Sequence, residues 1–336
     1  MKQLLNVCVS PQPGHLLEDW PAAKQWLATH GMDGYEIYPY GDVDVATIPT
    51  EQVGGLHLSF NTNLRPFWQQ DNAQLLKLFD SQQNIITFFG CNSPDELVAS
   101  YRKQFDLAED CGAPYVVFHP VDCNLENLFD QQFPWHWRDT MVLMAELLNA
   151  ALKGSRFSGK LLFENLWWPG SFRLDDRCEY DLLRHLVNYD NCGLCFDTGH
   201  MMATNSGLRT EQAGIDWLME RMVQLDLQRE IETVHLNCSL NGAYIEQSKL
   251  TRQPYQHCND FWQRLDVALK HVSQIDNHGP FAQANIAPLL ELIAPNHLVH
   301  ELRQDSLALW GEAIAVQRTA LAQQLPLSGQ DNQFVA

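Results

Sequence analysis

Apolar residues fall along this chain in short runs, and between the runs they recur every three or four positions. The runs read as strands buried on both faces, the intervals as amphipathic helices. LLNVCVS at 4–10 is the first strand. Asp19 and Pro21 then open a helix through His30, which Gly31 stops. The Asp33-Gly34 turn leads to YEIYPY at 35–40, and GGLHLSF at 54–60 is the third strand. Ser93-Pro94-Asp95-Glu96 has the form of a capping box with Pro in the first turn, opening a helix to about Asp110. YVVFHP at 115–120 is the fourth strand, and a helix near 138–153 closes at Gly154 before the fifth, KLLFENL at 160–166. A helix near 177–187 precedes CGLCFDTGH at 192–200, and one near 211–228 precedes ETVHLN at 232–237. A helix near 282–293 ends before Pro295, HLVHELR at 297–303 is the eighth strand, and a last amphipathic helix covers about 306–323.

Eight apolar strands alternating with helices imply a single closed parallel (β/α)8 TIM barrel, an α/β domain over 1–324 followed by a polar tail at 325–336. An open doubly wound sheet is the competitor, but no Gly-rich phosphate loop follows the first strand. The connections after strands three, four and seven are long, at 61–92, 121–137 and 238–280. Loops of more than ~12–15 residues usually carry function or are disordered.

Composition narrows the class. With 336 residues and 45% hydrophobic content, the chain can bury a large core. A net charge of −19 argues against a nucleic-acid partner, whose phosphates need Lys and Arg. The nine cysteines are scattered, as in a reduced, cytoplasmic protein. Cys192 and Cys195 have CxxC spacing, but strand alternation sends them to opposite faces, which suits packing better than a redox or zinc-ribbon role. The N-terminal MKQLLNVCVS has too short an apolar stretch for a signal peptide, and no run reaches membrane-spanning length, so no membrane partner is expected. Oligomeric state is not encoded in any pattern seen here.

The chemistry lies at the strand ends. His57, His119, Glu164, Asp197, His200, His235, Asp276, His278 and Glu301 stand at or beyond the ends of strands three to eight. One of these alone would be an ordinary polar group in a barrel mouth. Together they converge, because the C-terminal ends of all barrel strands open on one face. Imidazole and carboxylate are ligands for zinc and similar divalent cations, and a metal cluster removes the penalty of burying several carboxylates together. Two to three ions per chain are expected, Zn2+ or Mn2+, with Fe2+ and Co2+ also compatible with this ligand chemistry.

The segments FHP, FENLWW, FDTGHMMAT, VHLN, IDNHGPF and HELR resemble the motifs of the xylose isomerase-like TIM-barrel superfamily, which contains endonuclease IV and the sugar isomerases and epimerases. DTGH on strand six and DxH after strand seven are the more specific of them. The resemblance implies that Glu164, Asp197, His235 and Glu301 form the single-metal set of the isomerases. It implies that His57, His119, His200, Asp276 and His278 are the additional ligands of the endonuclease branch. On that pattern His57, His119 and Glu164 hold one ion, Glu164 bridges to a second on Asp197, His235 and Glu301, and His200, Asp276 and His278 hold a third. Glu36, on strand two, is a further inward candidate at a position often acidic in the superfamily.

The sequence departs from the endonuclease pattern in its aromatic loops. Phe133, Trp135, His136 and Trp137 follow strand four; Trp167 and Trp168 follow Glu164; Lys249, Arg252, Tyr255, Phe261 and Trp262 lie in the 238–280 insertion. They either line a pocket for a bulky small molecule or pack the loops onto the barrel rim. Trp135, Trp167, Trp168, Arg252 and Arg303 are substrate-binding candidates, and Arg65, Arg138, Arg252 and Arg303 are candidate anion binders. Arg303 lies two residues beyond Glu301, so a continued strand would aim both side chains the same way. Asn165, directly after Glu164, and Asn237, just beyond His235, are expected to point away from the ligands.

The expected function is a metal-dependent hydrolase of a small phosphoester, ester or amide. Bridged ions would lower the pKa of a bound water, whose hydroxide attacks while the third ion stabilises the leaving oxygen. Glu164, Glu301 and His200 are the catalytic candidates. The alternative is a sugar or sugar-phosphate isomerase or epimerase with one ion, in which Glu164 and Glu301 move a proton at carbon.

Overall fold

A computed structural model describes residues 1–10, 19–41, 43–250, 253–283 and 285–322. The expected Arg252 and the 325–336 tail lie outside these. Eight parallel strands close into a barrel in chain order. They are β1 (Lys2–Val9), β2 (Gly34–Pro39), β3 (Val53–His57), β4 (Tyr115–Phe118), β5 (Lys160–Glu164), β6 (Cys192–Asp197), β7 (Ile231–Leu236) and β8 (His297–His300). β1 pairs with both β2 and β8, from Leu4↔Gly34 to Lys2↔His297, which completes the ring.

The barrel has two apolar regions. Inside the ring, Leu4, Tyr115, Val117, Leu162, Cys195 and Val299 form a small fully buried cluster. The outward faces of the strands pack against the helices in a much larger core. The first helix, Trp20–His30, has the expected limits: the Asp19 side chain accepts from Ala22 N, and Gly31 ends it in the left-handed region at φ 61°. At Pro94–Asp110, Ser93 caps the helix, but Glu96 accepts from Asn92 N instead of Ser93 N, so the expected box is displaced by one residue.

The long connections are built from helices, most of them short. Leu64–Trp68, Asn72–Phe79 and Gln82–Phe89 follow β3; Asn127–Asp130 follows β4; Gly242–Ser248, Gln253–Gln256 and Phe261–Ile275 follow β7. Phe261 is buried against Phe79 and Phe88, ring centroids 4.5 and 5.4 Å away, so the third of these insertions clamps the first. No helix among the described residues is long and apolar enough to cross a membrane.

Candidate metal centre

Strand ends place the polar groups. His57, Glu164 and Asp197 are the last residues of β3, β5 and β6, and His235 is the penultimate residue of β7. His119 and Glu301 stand one residue beyond β4 and β8. DTGH is not all strand. Asp197 caps a short helix, Thr198–Ala203, by accepting from His200 N at 2.5 Å, and the helical turn swings His200 back over the mouth. Asp276 caps the C-terminal end of the helix Phe261–Ile275, and His278 follows with φ at 49°. A left-handed conformation at a residue with a Cβ costs about 1–2 kcal/mol, so local contacts must hold it.

The nine residues meet in three groups. His57 Nε2 and His119 Nε2 lie 3.2 Å apart, and Glu164 Oε2 is 3.2 Å from the first and 2.9 Å from the second. His235 Nδ1 is 3.4 Å from Glu164 Oε2 and 2.9 Å from Glu301 Oε2, with Asp197 in the same group. His200 Nε2 is 3.0 Å from Asp276 Oδ2, and His278 Nε2 is 2.9 Å from Asp276 Oδ1. His200 Nδ1 reaches Glu164 Oε1 at 3.2 Å, so Glu164 touches all three groups. Within each group the candidate ligand atoms lie within 4.8 Å of one another, and Cys195 comes as close to Glu164 and His235.

The donors are oriented from behind. His57 Nδ1 donates to Leu58 O at 2.9 Å, which leaves the Nε2 lone pair facing inward. Glu36 accepts from His235 Nε2 at 3.1 Å and from the Tyr115 hydroxyl at 2.8 Å, turning His235 Nδ1 toward Glu164 and Glu301. Asn237 Nδ2 donates to Asp197 Oδ2 at 2.8 Å, and the Asn165 side chain exchanges two hydrogen bonds with the Asp197 backbone.

These residues suit a divalent ion. Among the described residues, Glu164 Oε1, His235 Nδ1, Asp276 Oδ1 and Glu301 Oε2 are buried with no hydrogen-bond partner. Yet His235 Nδ1 and Glu301 Oε2 approach to 2.9 Å. Atoms that close without hydrogen-bond alignment are aimed at a shared point. Tetrahedral ligands at zinc distances of ~2.0–2.1 Å sit roughly 3.3 Å apart, close to the spacing of His57, His119 and Glu164. The charges agree. Burial lifts Asp197 to about 8, with His200 opposing and the Glu301, Glu164 and Asp276 carboxylates reinforcing the rise. Against burial, His119 and His235 hold Glu164 well below the ordinary carboxylate range, and Asp276 with Glu301 raises His278 to about 10. Added cationic charge relieves such crowding of carboxylates.

The model of the xylose isomerase-like TIM barrel family matches residues 25–314. The chain belongs to this family. Endonuclease IV from Thermus thermophilus is similar in structure at a TM-score of 0.53 and 14% identity, covering 96% of this chain and 100% of that one. A D-tagatose 3-epimerase-like protein is similar at a TM-score of 0.52 and 14% identity, covering 96% and 98%. No curated protein matches the sequence. Family members are enzymes, and at this identity the likeness concerns the fold.

In this xylose isomerase-like barrel, a cavity of about 230 Å³ lies over the three groups, walled by Tyr38, Phe60, Val121, Leu166, Trp168 and Val272. Trp168 is therefore at the site. Trp167 is 1% exposed and stacks edge-on with Trp168 from behind. Trp135 lies under the Arg65 guanidinium at 5.1 Å and is not part of the wall. Arg138 covers Trp137, and Trp262 Nε1 donates to Asn84 Oδ1, so these side chains secure the insertions. Arg303 borders an adjoining cavity of about 360 Å³ with Asn6, Cys8 and Gln304, its charge shared with Asp305 at 2.7 Å. β8 stops at His300, so the alternation that would have carried Arg303 alongside Glu301 does not reach it. Sequence patterning does not single out Phe60, Val121 or Leu166, although each lies a few residues past a strand end.

Proposed function

We propose that this chain is a divalent-metal-dependent hydrolase of a small phosphoester, ester or amide. The observation that carries this reading is that all nine ligand-type residues meet, with buried atoms that lack a hydrogen-bond partner facing one another. His57, His119 and Glu164 would hold one ion, Glu164, Asp197, His235 and Glu301 a second, and His200, Asp276 and His278 a third. Zn2+ or Mn2+ suits these ligands, and Fe2+ or Co2+ fits the same chemistry. Bound there, the ions supply Lewis-acid polarisation of the substrate oxygen and acidify water.

The chain itself provides position and exclusion. Phe60, Leu166 and Trp168 present an apolar wall to one side of the substrate while the carboxylates and imidazoles face its reacting group. The cavity's volume suits a metabolite, and a net charge of −19 disfavours a duplex. Glu164 and Glu301 hold or move a proton at the reacting atoms, and His200, between Glu164 and Asp276, serves the leaving oxygen.

A second reading has its own support. Glu164, Asp197, His235 and Glu301 alone make a four-residue set, and Glu164 and Glu301 approach within 4.8 Å. Two carboxylates placed so could move a proton on a sugar carbon, as an isomerase or epimerase requires.

Elemental analysis of protein purified without chelator, followed by turnover of phosphoesters, amides and ketoses in labelled water, separates the two. A hydrolase holds two or three ions and puts solvent oxygen into product. A stoichiometry of one or below, with deuterium appearing at a sugar carbon and no ester or amide cleaved, would sink the hydrolase. Glu164→Gln is expected to lose metal and activity together, whereas His200→Ala loses one ion of the set.

A further inference from the structure

We propose that Gln317, on the last helix, is the positioning residue that sets the His278 turn and the ends of β7 and β8. This rests on the reading of His200, Asp276 and His278 as holders of a third ion.

Gln317 lies in Leu307–Ala322, outside the barrel and fully buried. Its amide uses both donor hydrogens and its acceptor. Nε2 donates to Leu236 O at 3.1 Å and to His300 Nδ1 at 2.9 Å, and Oε1 accepts from Phe281 N at 3.0 Å. Each partner sits beside a candidate ligand: Leu236 follows His235, His300 precedes Glu301, and Phe281 comes three residues after His278. One side chain thus ties together three segments that are far apart in sequence.

The partners determine the amide's orientation. The Phe281 N–H requires an acceptor, which must be Oε1, and the Leu236 carbonyl requires a donor, which must be Nε2. His300 Nδ1 is then an acceptor, and its Nε2–H donates to Gln3 Oε1 at 3.1 Å on β1. Each of these bonds pairs a donor with an acceptor, which Glu could not achieve, since its second oxygen would face the Leu236 carbonyl and the His300 Nδ1 lone pair.

The His278 turn needs such a tie. His278 stands at φ 49°, where a side-chain-bearing residue is strained. Two backbone contacts flank it: Cys238 N donates to Gly279 O at 2.8 Å, and Arg303 N donates to His278 O at 3.1 Å. Gln317 adds the hold on the far side, at Phe281. Without it, the segment from Asp276 to Phe281 can relax and withdraw His278 from His200.

The test uses the full chain with Zn2+ alone. Gln317→Met keeps the length and removes all three hydrogen bonds. Circular dichroism and melting check that it folds. The wild type is expected to take up three Zn2+ per chain and the variant to hold two, with affinity for the third at least tenfold lower. In zinc-free protein, amide exchange across 276–281 is expected to speed up at least tenfold while β3 to β5 stay protected. Equal third-site affinity together with equal exchange would overturn the proposal. If the wild type itself takes up one Zn2+ or fewer, the multinuclear reading fails, and the exchange comparison alone decides the role of Gln317. If Gln317→Met does not fold, Gln317→Glu replaces it, keeping the acceptor for Phe281 and losing the donors. Third-site affinity or 276–281 exchange changed at least tenfold supports the proposal, and wild-type values in both overturn it.

Discussion

Asp122 illustrates what a single buried group does to stability. It accepts from Leu64 N at 2.8 Å and lies 3.6 Å from Arg65 Nε, yet burial dominates and lifts its carboxyl from 3.8 to about 6. The native state then binds a proton more readily than the unfolded chain between about pH 4 and pH 6. Stability from this group is therefore highest below pH 4 and declines as pH rises to 6, by roughly 3 kcal/mol at most. Asp122→Asn keeps the acceptor for Leu64 and should lack that decline, which urea unfolding of chelator-treated wild type and variant at pH 4, 5, 6 and 7 would show. Equal pH slopes would refute it. At this scale the sequence is legible where identity and position are enough. A histidine or carboxylate that follows or closes an apolar run announces itself, as seven of the nine do, and all nine meet in the structure. Asn237 does not, because its value lies in a cross-strand partner. It stands two residues beyond His235, so alternation turns it to the same side of β7, and its amide reaches Asp197 rather than pointing away. Glu36 is legible as an inward acid, but not as the group that orients His235.

At the scale of elements, β3 owes its place to two adjacent glycines. A Cβ on Gly55 would collide with the Tyr115 ring, whose hydroxyl holds Glu36, and one on Gly54 would meet Leu4. Gly55→Ala is expected to destabilise the fold by about 1–3 kcal/mol, in the range of overpacked cores. It should also weaken zinc binding, because displacing Tyr115 releases Glu36 and with it His235. A denaturant titration and a zinc titration would test both halves, and unchanged zinc affinity in a destabilised protein would separate β3 from the centre. Apolar runs locate all eight strands, since strands buried on both faces leave an unbroken signal. The short helices of the long connections leave none: Leu64–Trp68 and Asn127–Asp130 are too brief to show a helical period. Phe261–Ile275 has a readable pattern, with Asp260 as cap and buried residues at 261, 268 and 275, but it lies inside a stretch whose length reads as loop.

Across the whole molecule, charge matters most. With 41 acidic and 22 basic residues, the surface field repels polyanions beyond the reach of any one loop. No appreciable binding of duplex DNA is expected at physiological salt, with or without an abasic site. Fluorescence anisotropy with labelled duplexes would check this, and tight, salt-sensitive binding followed by strand cleavage would return the repair reading to the front.

The ring closes through β1 and β8, whose paired residues Lys2 and His297 lie 295 residues apart in the sequence. Synthesis delivers them at opposite times. A ribosome that has released β3 to β5 has already presented His57, His119 and Glu164, but Glu301 emerges 137 residues after Glu164, and the helix carrying Gln317 later still. A chain grows at roughly 5–20 residues per second, and a domain folds as a unit. A nascent chain therefore carries an incomplete mouth, with two imidazoles and one carboxylate, for several seconds. Ion loading in its final arrangement has to wait until β8 and the last helix have emerged.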